Sequence, residues 1–141
     1  MPINDQICRF SMDICREAGK FLLTSFRSKD MEISYKSRTD MVTNMDYMSE
    51  KFLFNSIREQ YPGHDIIAEE GSKKDTGSEY IWYVDPLDGT NNYAHGIPFF
   101  CVSIGVYSRS IKSVVAAAVY DPCHDEMFSA VKNCGAFCNN D

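Results

Sequence analysis

The order of helical and β-rich patterns along the chain most constrains its fold. Apolar and small residues repeat at helical spacing from Asn4 to about Phe26, and a second helical pattern runs from about Asn44 to Gln60, where Pro62-Gly63 follows. Most of the remaining chain consists of short β-rich segments separated by turn residues. Helices followed by strands joined through short turns are typical of an α+β domain. We therefore predict two N-terminal helices packed on an antiparallel sheet.

The predicted strands are short, and most are bounded by glycine, proline or polar residues. A turn is predicted from Ser37 to Asp40 and a short helical turn from Asn91 to Ala94. The ending NCGAFCNND has turn composition, so we predict no strand there, an unpaired sheet edge before it, and a chain that is part of a longer protein. The strands are predicted at Glu32 to Lys36, Asp65 to Ala68, Tyr80 to Val84, Phe99 to Tyr107, Ile111 to Tyr120 and Glu126 to Val131.

Length and charge limit the classes of function. The 141 residues suffice for a single domain with its own core. The net charge of −6 and the lack of a Lys/Arg run disfavour nucleic-acid binding. No basic leader and no run of about 20 apolar residues is present, so we expect a cytoplasmic protein without a membrane partner. Its six cysteines are then expected to be reduced thiols.

Two aspartates stand at the end of the apolar run IWYV. Asp85 and Asp88 flank a bend in which Pro86 fixes the backbone and Gly89 permits unusual dihedral angles. Such a bend can direct both carboxylates to one point, and Glu69, at the end of the preceding strand, can add a third. Carboxylate oxygens are the ligands that Mg²⁺ prefers. The segment therefore predicts a magnesium site.

The residues after Asp88 can hold a phosphate. Backbone N–H groups of Gly89 and Thr90 are expected to be free at the start of the following helical turn, where they can bind an anion. The alternative is structural: Asp88-Gly89 forms a turn and Thr90 caps a helix. Both readings fit this segment taken alone.

A covalent mechanism is disfavoured at this loop. Phosphatases that form an aspartyl-phosphate carry the signature D-x-D-G-T, in which the first aspartate is the nucleophile. The corresponding position here is Pro86. The loop therefore favours direct attack by a metal-activated water.

The segment WYVDPLDGTNNYAHGIPFFCVSIGVY resembles the first signature of the inositol monophosphatase family, which comprises Mg²⁺-dependent, lithium-sensitive phosphomonoesterases. Further matching features appear in order: Lys36, the segment TDMVTNMD that ends at Asp46, the segment IIAEEG, and GAFCNN. The resemblance thus spans essentially all 141 residues.

The resemblance implies roles for the acidic loop. It implies a first metal ion bound by Glu69, Asp85 and the main-chain oxygen of Leu87, and a second shared by Asp85 and Asp88. It also implies that Glu69 and Thr90 orient the attacking water. Two or three Mg²⁺ ions are expected.

The resemblance also implies a phosphate site and surrounding residues. The amides of Gly89 and Thr90 are expected to hold the phosphate, and Lys36 and Asp46 are candidates for an outer shell. Asn91 and Asn92 lie beside the site in sequence, but first-turn polar residues are the simpler interpretation.

The family fold is a layered α/β sandwich shared with the fructose-1,6-bisphosphatase superfamily, and the chain resembles its N-terminal half. Family members continue into a second half with a W-D-x-A-A-G motif, whose aspartate binds the second metal. The 141 residues contain no such motif, and the single tryptophan is Trp82. We therefore expect an N-terminal metal-binding domain over residues 1–141 without the C-terminal half, and a homodimer for the full-length family member.

The expected reaction is Mg²⁺-dependent hydrolysis of a phosphate monoester, with an inositol monophosphate as the leading substrate. Two alternatives remain open: a truncated fragment that only binds metal or phosphate weakly, and a related phosphatase acting on a sugar bisphosphate, a nucleoside 3′,5′-bisphosphate or histidinol phosphate. Asn92-Tyr93 after the D-G-T segment is nearer the inositol branch than the D-G-T-K form of the nucleotidases.

Other chemistry-bearing residues give weaker patterns. Cys123-His124 with Cys134 and Cys138 contains zinc-ligand types, but the spacing departs from the usual zinc-site order, and loop or core thiols are the alternative. His64 and His95 are lone histidines, for which a structural hydrogen bond is the simpler interpretation.

Overall fold

A seven-stranded sheet with two long helices on one face forms the fold in the computed structural model, which describes residues 1–37 and 41–141. The strand order is β4-β3-β5-β6-β7-β8-β9, and β1 and β2 form a separate antiparallel pair. The helices are α1 (Ile3–Ser25), α2 (Asn44–Gln60) and α3 (Thr90–Ala94). The strands are β1 (Ile33–Tyr35), β2 (Met41–Thr43), β3 (Asp65–Ala68), β4 (Lys73–Lys74), β5 (Tyr80–Asp88), β6 (Cys101–Ser108), β7 (Ser113–Asp121), β8 (Glu126–Val131) and β9 (Ala136–Cys138).

Helix α1 lies across β6, β7 and β8 and also packs against α2. Its buried face carries the predicted apolar spacing, with Ile7, Ile14 and Leu22 in the core. The helix approaches β7 closely at Gly19, where an added Cβ would lie 2.4 Å from Cδ2 of Tyr120. A glycine at this position therefore allows the helix to sit directly on the sheet.

Helix α2 begins and ends at the residues that the sequence predicts. At its start, Thr43 and Asp46 form a capping box, in which each side chain bonds the backbone N–H of the other residue. The chain leaves the helix at Tyr61, immediately before Pro62 and Gly63. These local signals explain why the boundaries were predictable.

The sheet differs from the prediction at several places. The pair β3–β5 is parallel, whereas every other pair of neighbours is antiparallel. Strand β5 continues to Asp88 rather than ending at Val84. The two-residue strand β4 lies outside the segments that were predicted to be strands.

The prediction of no strand in the last nine residues is wrong. Strand β9 pairs antiparallel with β8, so the edge of β8 has a partner. The turn-forming residues lie in the connection between β8 and β9. There Asn133 (φ 64°) and Gly135 (φ 85°) adopt positive φ and reverse the chain.

The remaining expectations have separate outcomes. In the described residues, no helix is long and apolar enough to cross a membrane. The predicted turn from Ser37 to Asp40 lies mostly outside the described residues.

His64 accepts a hydrogen bond of 3.0 Å at Nδ1 from the indole of the buried Trp82, which is a structural role. His95 lies with its Nδ1 2.7 Å from the backbone oxygen of Asn91.

Candidate active site

The parallel pairing of β3 and β5 places two of the predicted carboxylates side by side. Ala68 is in register with Val84, so Glu69 and Asp85 follow at the same end of neighbouring strands. The backbone N–H of Glu69 donates to the oxygen of Val84 across 2.9 Å, which extends the pairing by one residue. The sheet itself therefore brings Glu69 to Asp85.

The bend between Asp85 and Asp88 is a β-bulge in strand β5. Asp85 pairs with Ser103 and Asp88 with Cys101, so three steps along β5 match two along β6. The buried hydroxyl of Ser49 on α2 donates to the oxygen of Pro86 across 2.8 Å, and the N–H of Leu87 donates to Oδ1 of Asp85. Helix α2 thus helps to hold the bent backbone.

Gly89 turns the chain from β5 into α3. Its φ of 92° lies in the left-handed region, and an added Cβ would lie 3.0 Å from the backbone oxygen of Phe99. Both the dihedral angle and the close approach require glycine. Asn92 supports the same turn, because its Nδ2 donates to the oxygen of Phe99 across 2.8 Å.

One pocket, of about 460 Å³, collects most of the predicted site residues. It is mostly polar, in contrast to the apolar groove between α1 and α2. Every residue predicted to bind metal or phosphate lines this pocket: Glu69, Asp85, Leu87, Asp88, Gly89 and Thr90. Lys36, Met41, Glu70, Asn91 and Asn92 line it as well.

Asp46, the other outer-shell candidate, stands behind this pocket. It is fully buried, and its Oδ1 accepts a hydrogen bond from the hydroxyl of Thr90 across 2.9 Å. Its Oδ2 accepts from the N–H and the hydroxyl of Thr43. Burial raises the pKa of Asp46, while the hydrogen bonds from Thr43 and Thr90 act in the opposite direction. Asp46 therefore connects the start of α2 to Thr90.

Sequence reasoning missed the role of the second glutamate in the segment AEEG. The side chain of Glu70 is only 3 % exposed, and its Oε2 lies 3.1 Å from Nζ of Lys36. Lys36 lies farther from Glu69, at 3.9 Å. The backbone N–H of Glu70 donates to Glu50, a buried carboxylate of α2 that also accepts two hydrogen bonds from Ser72. The pair of glutamates was visible in the sequence and both line the pocket, but the burial of Glu70 depends on its contact with α2.

The carboxylates around the pocket repel one another. Burial, together with the nearby negative charges of Asp88 and Glu69, raises the pKa of Asp85 to about 6. Hard oxygen donors and unfavourable negative charge together fit divalent cations such as Mg²⁺.

The weak zinc pattern of Cys123, His124, Cys134 and Cys138 does not correspond to a group of metal-ligand side chains in the described residues. Among the described residues, His124 groups with Asp121 and Glu126, and none of the three nearby cysteines belongs to a group of metal-ligand side chains. All six cysteines are free thiols.

The fold, with helices on one face of a mixed sheet, superposes on solved structures of one class of protein. The suhB protein of Bartonella henselae superposes with a TM-score of 0.90 and is 34 % identical over 96 % of this chain and 52 % of its own. The inositol monophosphatase of Thermotoga maritima gives a TM-score of 0.87 and 30 % identity over 97 % of this chain and 52 % of its own.

The chain belongs to the inositol monophosphatase family, whose model matches residues 3–141. An inositol monophosphatase of Dictyostelium discoideum is 36 % identical over 140 residues, which are 97 % of this chain and 51 % of that protein. The Nus factor SuhB of Escherichia coli K12 is 40 % identical over 126 residues, 88 % of this chain and 46 % of that protein. The chain thus spans about half the length of the curated relatives it matches.

Proposed function

We propose that this chain forms the metal-binding half of a Mg²⁺-dependent phosphomonoesterase, with an inositol monophosphate as the leading substrate. The observation that carries the proposal is the common pocket of Glu69, Asp85, Asp88 and Thr90, assembled by the β3–β5 pairing and the β5 bulge. Membership of the inositol monophosphatase family supports the same reaction class.

The donor set assigns the metal ligands. Glu69, Asp85 and the main-chain oxygen of Leu87 would hold one Mg²⁺, and Asp85 and Asp88 would share a second; a third ion is compatible with the family. When bound, the ions lower the pKa of water and neutralise charge on the phosphoryl group. Lys36 adds a positive charge on the same wall, next to Glu70.

Thr90 can orient the attacking water through its hydroxyl oxygen. The hydroxyl proton is directed to Asp46, with the oxygen of Leu87 at 3.2 Å as a second acceptor. The hydroxyl oxygen therefore remains available to accept a hydrogen bond from water. Glu69, whose side chain is 58 % exposed, can accept a second one from the opposite side of the pocket.

The amides of Gly89 and Thr90 are proposed to hold the phosphate. Neither N–H donates to an acceptor in the described residues, and both residues line the pocket. The left-handed conformation of Gly89 sets the direction of the backbone at this point. Hydrogen bonds from such fixed amides act without reorganisation during the reaction.

A second candidate is a domain that binds metal or phosphate without turnover. The 141 residues span about half of the relatives' length and contain no W-D-x-A-A-G motif, so these residues on their own would lack the carboxylate that the resemblance implies for the second metal. Related substrates, namely a sugar bisphosphate, a nucleoside 3′,5′-bisphosphate or histidinol phosphate, would use the same carboxylates.

The test is release of phosphate from inositol 1-phosphate with and without Mg²⁺, by the wild-type chain, by Asp88→Asn and by Asp75→Asn as a control outside the pocket. We expect Mg²⁺-dependent release that Asp88→Asn reduces by about 100-fold or more and Asp75→Asn leaves unchanged. Equal rates from wild type and Asp88→Asn would overturn the role of Asp88. Saturable Mg²⁺ binding without any release would instead select the non-catalytic candidate.

A further inference from the structure

A second group of metal-ligand side chains lies at the hairpin between β7 and β8. Nδ1 of His124 lies 2.8 Å from Oδ2 of Asp121, and the ligand atoms of Asp121, His124 and Glu126 all lie within 4.8 Å of one another. Over the described part of the chain, no other group of three or more His, Cys, Asp or Glu side chains meets this distance. Neither the sequence patterns nor the proposed phosphatase chemistry uses this group.

The hairpin holds the three side chains in place. Asp121 and Glu126 are directly opposed in the β7–β8 register, so their side chains lie on the same face of the sheet. Oδ1 of Asp121 accepts hydrogen bonds from the backbone N–H groups of Cys123 (3.0 Å) and His124 (3.2 Å). These bonds direct Oδ2 of Asp121 to the imidazole of His124. Metal ligands in proteins are commonly oriented by such hydrogen bonds to neighbouring groups.

The ligand types differ from those of the phosphatase pocket. One imidazole nitrogen and two carboxylates form a three-residue set that Zn²⁺ accepts, with a fourth position left for water. An imidazole ligand selects zinc, copper or nickel over magnesium. The phosphatase pocket offers only oxygen ligands, which suit magnesium. The His124 side chain is 55 % exposed, so an ion can enter directly from solvent.

We propose that Asp121, His124 and Glu126 bind a divalent transition-metal ion, with Zn²⁺ as the best fit, at a site separate from the ligands proposed for Mg²⁺. Asp121 and Glu126 also line a cavity that reaches Asp88 and Gly89. The ion would therefore bind beside the phosphate pocket, in a cavity that shares Asp88 and Gly89 with it. The proposal does not depend on phosphatase activity.

The test is calorimetric titration of the complete chain with Zn²⁺ in excess Mg²⁺, so that the oxygen-rich pocket is occupied. We expect His124→Asn and Glu126→Gln each to weaken Zn²⁺ binding at least about tenfold, because loss of even an outer partner costs 10-fold to 100-fold. His95→Asn is the matched control and should bind Zn²⁺ as wild type does. Undiminished affinity in His124→Asn would overturn the proposal.

A second measurement separates this site from the six thiols and from any damage to the hairpin. X-ray absorption of the wild-type chain with one equivalent of Zn²⁺ should show an imidazole ligand together with oxygen ligands, and His95→Asn should keep that spectrum. A coordination sphere without imidazole would reject the site, whatever the variants do. Asp85→Asn, which is expected to lose phosphatase activity, should retain this Zn²⁺ site.

Discussion

The hydroxyl of Thr90 donates a hydrogen bond of 2.9 Å to Oδ1 of Asp46, which joins the first residue of α3 to the first turn of α2. The two residues are 44 positions apart in the chain. One carboxylate thus completes a capping box with Thr43 and also fixes the hydroxyl proposed to orient water. Helix capping and the proposed catalysis are coupled through Asp46.

Removal of the Thr90 hydroxyl should reduce phosphate release without unfolding the protein. We expect Thr90→Val to lower Mg²⁺-dependent release by about 100-fold, since misplacing a reacting group by an ångström can cost that much. Thr90→Ser keeps the hydroxyl and should retain most of the activity. The rates are measured with inositol 1-phosphate at saturating Mg²⁺, and equal losses in both variants would exclude a specific role for the hydroxyl.

Asp85→Asn should change the response of stability to Mg²⁺ and pH. The pKa of Asp85 is raised to about 6 from 3.8, so the folded state disfavours the charged carboxylate. Without metal, wild-type stability should therefore fall as pH rises from about 4 through 6, and Asp85→Asn should show a smaller fall.

Added Mg²⁺ should raise the Tm of the wild type above pH 6 and raise that of Asp85→Asn much less, because ligands stabilise the state that binds them. Thermal melts across this pH range, with Mg²⁺ or with chelator, provide the measurement. An identical Mg²⁺ response in both proteins would contradict the role of Asp85 as a ligand.

Asp65 should stabilise the fold at neutral pH and make its stability fall in acid. Burial raises its pKa, but hydrogen bonds from Thr76, Ser78 and Arg109 outweigh that effect and hold the pKa well below its usual range. Its side chain is 1 % exposed and accepts from three successive backbone N–H groups, at residues 76–78. This stabilisation is present above the unfolded pKa of about 3.8 and is lost as pH falls below it.

We expect Asp65→Asn to lower the free energy of unfolding by at least about 2 kcal/mol at neutral pH and to flatten its decline in acid. Asp75→Asn is the control, because Asp75 also pairs with Arg109 but is exposed. Urea titrations at several pH values give both quantities. A larger effect of Asp75→Asn than of Asp65→Asn would refute this assignment.

Gly89→Ala should be more damaging than the same change at a glycine in open space. Gly89 has φ 92° and would place a Cβ 3.0 Å from the oxygen of Phe99, whereas Gly77 has φ 78° and nothing within 4 Å. We expect about 1 kcal/mol of destabilisation at Gly77, from the dihedral angle alone, and at least about 1 kcal/mol more at Gly89. Denaturant unfolding of both variants tests this, and equal losses would argue against a tight contact at Gly89.

Local sequence signals account for much of the fold. The limits of α2 follow from Thr43, Asp46 and the Pro62-Gly63 stop, because caps and helix breakers act on neighbouring residues. The bend at Pro86 and Gly89 was likewise visible, since proline and glycine restrict or permit dihedral angles wherever they occur.

Pairings between distant segments were not predictable in the same way. Strand β9 and the parallel β3–β5 pair depend on backbone hydrogen bonds whose partners lie far apart in the chain. Turn-forming residues near the end hid β9, because a hairpin turn and a loop have the same composition. The group of Asp121, His124 and Glu126 was missed because histidine was compared with the nearby cysteines, whereas the hairpin register opposes the carboxylates.

The sequence by itself determined two helices before a β-rich segment, an acidic bend that could bind Mg²⁺, and a resemblance to one phosphatase family. These features rest on spacing and residue type within short windows. The tertiary structure alone decided that Glu70 is buried and pairs closely with Lys36 while Glu69 stays exposed, and that Asp46 reaches Thr90 from α2. Those choices require the packing of α2 against β5, which brings together side chains that no local pattern relates.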